Sequence, residues 1–353
     1  MSELPASQMT DAEERRVLAA DLVKLNCRVH QADDPPLFTR EPKSSMLPLH
    51  WRWRDLAPML NRAGTSLKLE AGGNRRTLRL TNPGLAYGTT PTFWASIQYI
   101  LPGEVATAHR HTATALRFIM QGRGAYTTVD GEQYPMNEGD LVITPSWTWH
   151  DHVHRGDKPM IWLDVLDISL VRAMHATFFE ASMADLQPVS EFPTRSWQQF
   201  GSGIMRPVNA PIHNGVNPLL VYPAQRSEEA LSAAAKLPAN PHNDTAFEYQ
   251  NPLTGGPALP NIGTRLQRLR AGGRCLPQRH TGSVLNYVIS GSGSTIVEGQ
   301  RFDWHAGDFI AIPPWSWYEH ANGSQEEIAT MFQVNDLPVM KALGLHREEF
   351  LPE

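Results

Sequence analysis

Cysteine is scarce in this chain, because its 353 residues include only Cys27 and Cys275. Two cysteines make neither a disulfide framework nor a cysteine-based zinc site, so we expect a protein of the reducing cytoplasm. Long hydrophobic runs are missing too, and no segment approaches the length of a membrane span. The first residues do not have the charged start and apolar region of a signal peptide. We therefore expect a cytoplasmic protein that does not enter membranes.

Charge of one sign is not in large excess either. The chain has 31 basic and 36 acidic residues, which gives a formal net charge of -5. This balance creates no field that would hold nucleic acid or an anionic membrane, so we expect partners of neither kind. The length is sufficient for one large core or two ordinary ones.

Residues 1–85 do not have the pattern of a β-barrel, and we interpret them as a helical and irregular N-terminal extension. A capping box at residues 10–13, followed by leucines and valines at helical spacing, predicts an amphipathic helix over residues 10–26 that packs on a surface or a partner. A proline-rich stretch then leads to Trp51 and Trp53. These tryptophans either line a ligand pocket or pack in a core or a subunit interface.

Histidines are concentrated between Gly103 and His154. His109 and His111 share one face of a predicted strand, and His150 follows a second strand-like run. Three imidazoles on one side of a metal ion leave the opposite side open, as in catalytic rather than structural sites. Imidazole suits zinc, copper, nickel and iron alike, so these residue types do not select the metal. We predict that His109, His111 and His150 bind a catalytic metal ion.

The glycines around these histidines follow a known pattern. Gly103 and Gly122 flank the first two histidines at the spacing of the first cupin motif, and Gly139 precedes Pro145 and His150 at the spacing of the second. Two departures matter: Ala115, or Leu116 on the longer spacing, stands at the motif's glutamate position, and Trp147 stands at its glycine position. The carboxylate ligand of most cupins is therefore missing.

Without that carboxylate, the chain resembles the ring-cleaving dioxygenases that hold iron with three histidines. The resemblance is closest to the gentisate 1,2-dioxygenase family. It rests on three segments, which read FWASIQYILPGE, HRHTATALRFIMQGRG and GDLVITPSWTWHDH.

The chain also repeats itself. RHTATALRFIMQGRG aligns with RHTGSVLNYVISGSG, and GDLVITPSWTWHDH aligns with GDFIAIPPWSWYEH. We therefore predict an all-β double cupin, two β-barrel or jelly-roll domains with helical additions at the N-terminus and in the linker. The predicted parts after the extension are a first repeat (86–175), a connector (176–246), a second repeat (247–340) and a tail (341–353).

The second repeat has not kept the ligand set. Gln278 stands in place of His109, His280 matches His111, and Tyr318 stands in place of His150. One imidazole does not hold a divalent metal firmly, so we interpret this repeat as structural or as an interface. The alternative is a vestigial pocket that contains His280, Tyr318 and His320.

Other candidate site residues follow from strand alternation. Arg117 lies six residues beyond His111 on the same predicted strand, so we expect it to face inward as well. It then binds the carboxylate or hydroxyl oxygens of a substrate, or it forms a buried ion pair with Asp164. His152 and Asp164 are candidates for proton transfer, whereas we expect His154 to be solvated. Further candidate substrate-binding residues are Trp94, Ser96, Gln98 and, more weakly, Arg79.

The resemblance implies Fe(II) as cofactor, gentisate and O2 as substrates, maleylpyruvate as product, and a homotetramer. A physical argument agrees with it, because three neutral imidazoles leave the charge of the metal uncompensated. A carboxylate beside an ionised phenol hydroxyl supplies two negative charges and chelates the ion. Two alternatives remain open at this point: a sister dioxygenase that cleaves salicylate or 1-hydroxy-2-naphthoate, and a non-enzymatic ligand-binding or storage cupin.

Overall fold

The structure is a computed structural model that describes residues 11–30, 34–67, 76–209 and 216–352. The chain divides into two compact units, Met1–Lys43 and Ser44–Glu353. The first unit contains helix α1 (Asp11–Lys24), which confirms the predicted helix but not its predicted amphipathic character, while the predicted capping residue Thr10 lies outside the described residues. None of the residues of α1 is buried, and Val17 and Leu18 are about half exposed.

The second unit holds both repeats. It begins with β1 (Leu49–Trp51) and α2 (Trp53–Ser66), which precede the first repeat. The strands that follow are β2 (Thr77–Leu80), β3 (Trp94–Ile100), β4 (Val105–His111), β5 (Ala115–Gln121), β6 (Arg123–Val129), β7 (Glu132–Asn137), β8 (Leu141–Thr144), β9 (His150–His154), β10 (Met160–Leu166), β11 (Phe179–Ala181) and β12 (Val221–Tyr222). They form a six-stranded sheet in the order β12-β8-β5-β10-β3-β2 and a five-stranded sheet in the order β11-β4-β9-β6-β7.

The second repeat has the same architecture. Its strands are β13 (Thr245–Glu248), β14 (Gly263–Leu269), β15 (Gln278–His280), β16 (Val284–Ser290), β17 (Ser292–Val297), β18 (Gln300–His305), β19 (Phe309–Ile312), β20 (Tyr318–Asn322), β21 (Ala329–Asn335) and β22 (Glu348–Phe350). The sheet orders are β1-β19-β16-β21-β14-β13 and β18-β17-β20-β15-β22. The remaining helices are α3 (Ile168–Ala173), α4 (Arg195–Phe200), α5 (Ala224–Ala234) and α6 (Leu337–Ala342).

The two six-stranded sheets pack on each other through one of their faces. Phe118 of β5 stacks on Phe332 of β21 with ring centroids 4.1 Å apart, and apolar residues of both repeats form one continuous core around them. Because side chains alternate along a strand, the opposite face of each sheet points into its own repeat. This inner face and the five-stranded sheet opposite enclose a separate apolar cluster in each repeat, with Trp162 of β10 in the first and Trp304 of β18 in the second.

Each repeat is completed by an arm that precedes the other repeat. Strand β1 pairs with β19 of the second repeat, and β12 pairs with β8 of the first. The helices after these strands are anchored in the same way, because the Trp53 N–H donates to Asp308 and the Ala224 N–H donates to Asp140. We call β1 with α2 the N-terminal arm, and β12 with α5 the connector arm.

These arms correct one sequence-based interpretation. The predicted extension is not outside the sheets, since β1 and β2 are edge strands of two of them. Trp51 and Trp53 pack against the core between the repeats, in agreement with the packing alternative and not with a ligand pocket. Strands β11 and β22 likewise extend the five-stranded sheets from the predicted connector and tail. Within the described residues, no helix has both the length and the hydrophobicity needed to cross a membrane.

Candidate metal centre

Three histidines converge inside the first repeat. His109 and His111 lie on β4, and His150, at the start of β9, is the cross-strand partner of His109. One ring nitrogen from each lies within 4.8 Å of the others. The ring centroids are 4.3 Å apart for His109 and His150, and 4.8 Å apart for His111 and His150. The sequence prediction that these three side chains meet is confirmed.

Backbone carbonyls fix the orientation of all three rings. The Nδ1 atoms of His109, His111 and His150 lie 2.7, 2.7 and 3.0 Å from carbonyl oxygens two residues away. A carbonyl oxygen only accepts hydrogen bonds, so each Nδ1 carries the proton and donates it. The lone pair of each neutral ring therefore lies on Nε2, and second contacts of this kind are typical of metal-bound histidines. Three such nitrogens fit a divalent metal ion.

The surroundings keep His150 neutral. Burial lowers its pKa well below the usual value, and the positive charge of Arg117 and the neighbouring His109 and His111 lower it further. Its Nε2 has no hydrogen-bond partner within the described part of the chain. A buried imidazole that resists protonation is available as a metal ligand at neutral pH.

Arg117 faces the interior of the first repeat, although the argument that predicted this was wrong. His111 ends β4, and Arg117 lies on β5 in the other sheet, so the two residues do not share a strand. Arg117 points inward because it alternates with Phe118 of the core between the repeats and shares a face with Ile119 of the inner cluster. Sequence alone did not show where the chain changes sheets.

Arg117 forms the buried ion pair that was one of its two predicted roles. Its Nε lies 3.6 Å from Oδ1 of Asp164, its cross-strand neighbour on β10, and Nη1 donates to Thr144 at 2.7 Å. Both charged side chains are buried. Burial lowers the pKa of Arg117 and Asp164 raises it in turn.

The other predicted substrate-binding residues lie in register on the same sheet. Ser96 of β3 pairs with Asp164 on one side and with Arg79 of β2 on the other. Ser96 and Gln98 are buried, and Gln98 Oε1 has no hydrogen-bond partner among the described residues. Arg79 is exposed and stacks over Trp94, 4.2 Å from its ring centroid. Ser96 and Gln98 are therefore inside the first repeat, while Arg79 is exposed on the edge strand β2 and Trp94 beside it is half-buried.

The two further histidines of β9 differ from each other. His152 is fully buried, with its ring 5.6 Å from that of Trp162 and 6.2 Å from that of His150. The expectation that His154 is solvated is wrong, since it is 1% exposed. Its Nε2 donates to the Lys158 carbonyl at 2.6 Å, and its Nδ1 accepts the Gly156 N–H. His154 stands at the asparagine position of the second cupin motif, a signal that the sequence comparison overlooked.

The second repeat keeps the geometry without the ligands. Gln278 and Tyr318 are cross-strand partners, like His109 and His150. The Tyr318 hydroxyl lies 3.2 Å from Nε2 of His280, and burial lowers the pKa of His280 to about 4. The described residues contain no second cluster of three metal-ligating side chains.

Comparison with known proteins agrees with the fold and the site. The Cupin domain model matches residues 96–166 and 265–334. The chain is 36% identical over 351 residues to 5-aminosalicylate 1,2-dioxygenase of Comamonas sp, covering 98% of this chain and 92% of the relative. It is also 36% identical to gentisate 1,2-dioxygenase of Streptomyces sp, covering 96% and 98%.

A solved structure extends this similarity to three dimensions. The salicylate 1,2-dioxygenase of Pseudoaminobacter salicylatoxidans, solved as an adduct with gentisate, superposes with a TM-score of 0.88 at 30% identity, covering 99% of this chain and 97% of that one. The double-cupin fold is thus confirmed, and the non-enzymatic alternative is not supported. The chain belongs to the family of double-cupin, ring-cleaving 1,2-dioxygenases.

Proposed function

We propose that this dioxygenase uses Fe(II) to open the ring of gentisate with O2, giving maleylpyruvate in the catabolism of aromatic compounds. One observation carries the proposal: the metal centre offers three neutral imidazoles and no carboxylate, since the buried Ala115 stands at the motif's glutamate position. An ion with two uncompensated positive charges favours a substrate that chelates it through a carboxylate and an ionised hydroxyl. When bound, Fe(II) would hold the aromatic acid and O2 side by side and conduct electron density from ring to oxygen.

The protein side chains orient the substrate and handle protons. Arg117 has a planar fork of donors, of which Asp164 and Thr144 engage only part, so it would also meet a carboxylate or hydroxyl oxygen of the acid. Gln98 and Ser96 would contact the ring substituents from β3, and Trp94 with Arg79 would cover the ring at the rim. His152 and Asp164, both buried on the inner face, would move protons. Ile119 and Trp162 would exclude water.

Gentisate is preferred over its relatives for a chemical reason. Its second hydroxyl, para to the first, makes the ring more electron-rich than that of salicylate and easier to oxidise. The amino group of 5-aminosalicylate, which the Comamonas relative is named for, occupies the same position and has a similar effect. Salicylate and 1-hydroxy-2-naphthoate lack such a group and are the second candidate class.

Two measurements test the proposal. Fe(II)-loaded protein should change its anaerobic absorption spectrum when gentisate is added, and O2 uptake should then follow at a rate that exceeds the rate with salicylate. Oxygen uptake with 1-hydroxy-2-naphthoate or salicylate but not with gentisate would transfer the assignment to the sister enzymes. No uptake with any of these acids by iron-replete protein would refute it.

We also propose a cytoplasmic homotetramer, as the family resemblance implies. Apolar side chains around β11 support an assembly, because Phe178, Phe179 and Met183 are largely exposed in the single chain. Sedimentation equilibrium of the purified protein should give four chains per particle; a monomer at micromolar concentration would contradict the proposal.

A further inference from the structure

Two buried aspartates join the repeats in a reciprocal way. Asp167 follows β10, and Asp336 follows β21, the equivalent strand of the second repeat. One carboxylate oxygen of each accepts a backbone N–H within its own repeat: Thr114 N to Asp167 at 2.8 Å, and Ser283 N to Asp336 at 2.6 Å. The other oxygen accepts from the opposite repeat.

The partners in the opposite repeats are short polar side chains. Nδ2 of Asn261 donates to Asp167, and the Thr92 hydroxyl donates to Asp336, each at 2.5 Å. Asp167 and Asp336 are 1% and 0% exposed. Each carboxylate therefore links two repeats and holds the loop that follows β4 or β15.

Only one of these loops is attached to a ligand of the metal centre. Thr114 donates its N–H to Asp167, and the carbonyl of the same peptide group, that of Ala113, accepts the Nδ1 proton of His111 at 2.7 Å. The Asp167 N–H also donates to the Thr114 carbonyl at 3.2 Å. A peptide group is planar, so fixing its N–H fixes the direction of its carbonyl.

The result is a chain of hydrogen bonds from carboxylate through peptide to imidazole. A carboxylate on the N–H side makes the carbonyl a better acceptor, since consecutive hydrogen bonds polarise one another. A better acceptor at Nδ1 orients the ring and raises the basicity of Nε2, the atom that faces the metal.

We propose that Asp167 is a positioning residue for the metal ligand His111, and that Asn261 holds Asp167 in place from the second repeat. The repeat that has lost its own metal ligands thereby sets the metal affinity of the first. This inference rests on the metal centre of the proposed function, but not on the identity of the substrate.

The chain supplies a matched control. Asp336 has the same depth of burial, an equivalent backbone N–H partner and a link across the repeats to a hydroxyl instead of an amide, yet its loop follows a strand without a complete ligand set. If the aspartates serve stability alone, Asp167→Asn and Asp336→Asn should have equal effects on melting temperature and neither should change metal affinity.

A double variant that exchanges the side chains of Asp167 and Asn261 separates the effect of the hydrogen-bonded link from the effect of the negative charge. In Asp167→Asn the charge is lost, and a link persists only through a flip of the Asn261 amide that turns its oxygen toward the new amide nitrogen. Combining Asp167→Asn with Asn261→Asp restores an amide–carboxylate link but moves the negative charge away from the Thr114 N–H. If the single variant does not fold, the exchange variant still tests the role of the charge.

The experiment measures the Fe(II) dissociation constant by anaerobic competition with a chelator, the visible bands of the Co(II) protein, and the melting temperature. We expect Asp167→Asn to bind Fe(II) about 10-fold more weakly, which is the lower end of the effect of mutating a group that orients a metal ligand. The Co(II) bands should also shift in this variant. The exchange variant should recover the melting temperature but not the affinity. Asp336→Asn should melt earlier and bind Fe(II) like the wild type.

Wild-type Fe(II) affinity in Asp167→Asn or in the exchange variant would overturn the inference, as would an equal loss of affinity in Asp336→Asn. A wild-type protein that binds neither Fe(II) nor Co(II) would instead refute the metal centre itself, so the two failures are distinguishable.

Discussion

Arg117 and Asp164 form a buried ion pair at a place where the second repeat has a neutral pair. In the second repeat the equivalent cross-strand partners are Asn286 and Gln333, whose side-chain amides are hydrogen-bonded at 3.3 Å. The same fold is therefore stable with amides at these positions. The fold therefore does not require charges at these positions. Because the charges lie beside the only three-histidine cluster among the described residues, they favour a role for Arg117 in substrate binding.

The first prediction transfers the neutral pair into the first repeat. Arg117→Ala leaves Asp164 buried without its cation and should destabilise the protein by about 3–5 kcal/mol. The double variant Arg117→Asn with Asp164→Gln should melt near the wild-type temperature and keep its iron, because it reproduces the amide pair. Its kcat/KM with gentisate should still fall roughly 10- to 150-fold, the loss of a hydrogen bond to a charged group. Wild-type kinetics in the double variant would remove Arg117 and Asp164 from the reaction.

The second prediction concerns metal stoichiometry. We expect about one iron per chain, since the second repeat retains only His280 of the equivalent set. His111→Ala should lose its iron, and His280→Ala should keep it. Metal analysis of both variants by emission spectrometry decides the question; two irons per wild-type chain would show that the second repeat binds metal.

The third prediction is a dependence of stability on pH. Burial lowers the pKa of His320 to about 4, whereas the unfolded chain takes up this proton near pH 6.5. The unfolded state thus binds more protons between these two pH values. The free energy of unfolding therefore decreases as the pH falls from 6.5 to 4, by about 3 kcal/mol. Thermal melting of His320→Gln should show a shallower fall over this range than the wild type. His305, an exposed residue of the same repeat, serves as the control, and an unchanged slope in His320→Gln would contradict the assignment.

The fourth prediction concerns the contribution of the N-terminal arm to stability. A protein that begins at Ser44 keeps the N-terminal arm and serves as the reference. A protein that begins at Leu60 loses β1 and two of the groups that hydrogen-bond Asp308, the His50 ring and the Trp53 N–H, and keeps the His305 N–H. It should be strongly destabilised, because the edge of β19 is left unpaired and the buried Asp308 carboxylate keeps only the His305 N–H. Equal melting temperatures of the two proteins would contradict the role of the arm.

Sequence reasoning succeeded where residue type and spacing are tied to chemistry. His109, His111 and His150 were identified because two strands with fixed spacing bring them together, and the second repeat because its segments align with the first. The face of Arg117 was predicted correctly but for a wrong reason, since three residues between His111 and Ala115 are enough for the chain to change sheets. The buried His154 ring is hydrogen-bonded to the Lys158 carbonyl, which lies after the end of β9. The alternation of side chains along a strand does not predict such a contact.

The arms were beyond the reach of sequence patterns. Strands β1 and β12 have three and two residues, too few to show an alternation. Their stability comes from partners in distant parts of the chain and not from local preference. The link between Asp167 and Asn261 is of the same kind, since its two residues are 94 positions apart.

Because each arm pairs with a distant repeat, the arms also determine the order in which parts of the chain can fold during synthesis at the ribosome. His50 hydrogen-bonds Asp308, 258 positions later, so at 5–20 residues per second the N-terminal arm waits about 10–50 s for its partner. During that time Trp51 and Trp53 lack the sheet of the second repeat, while the first repeat receives the connector arm much earlier. The nascent chain therefore exposes the apolar residues of an unpaired N-terminal arm together with the sheet face of the first repeat that later packs on the second. We expect chaperones that bind emerging chains to raise the yield of this protein more than that of a single cupin.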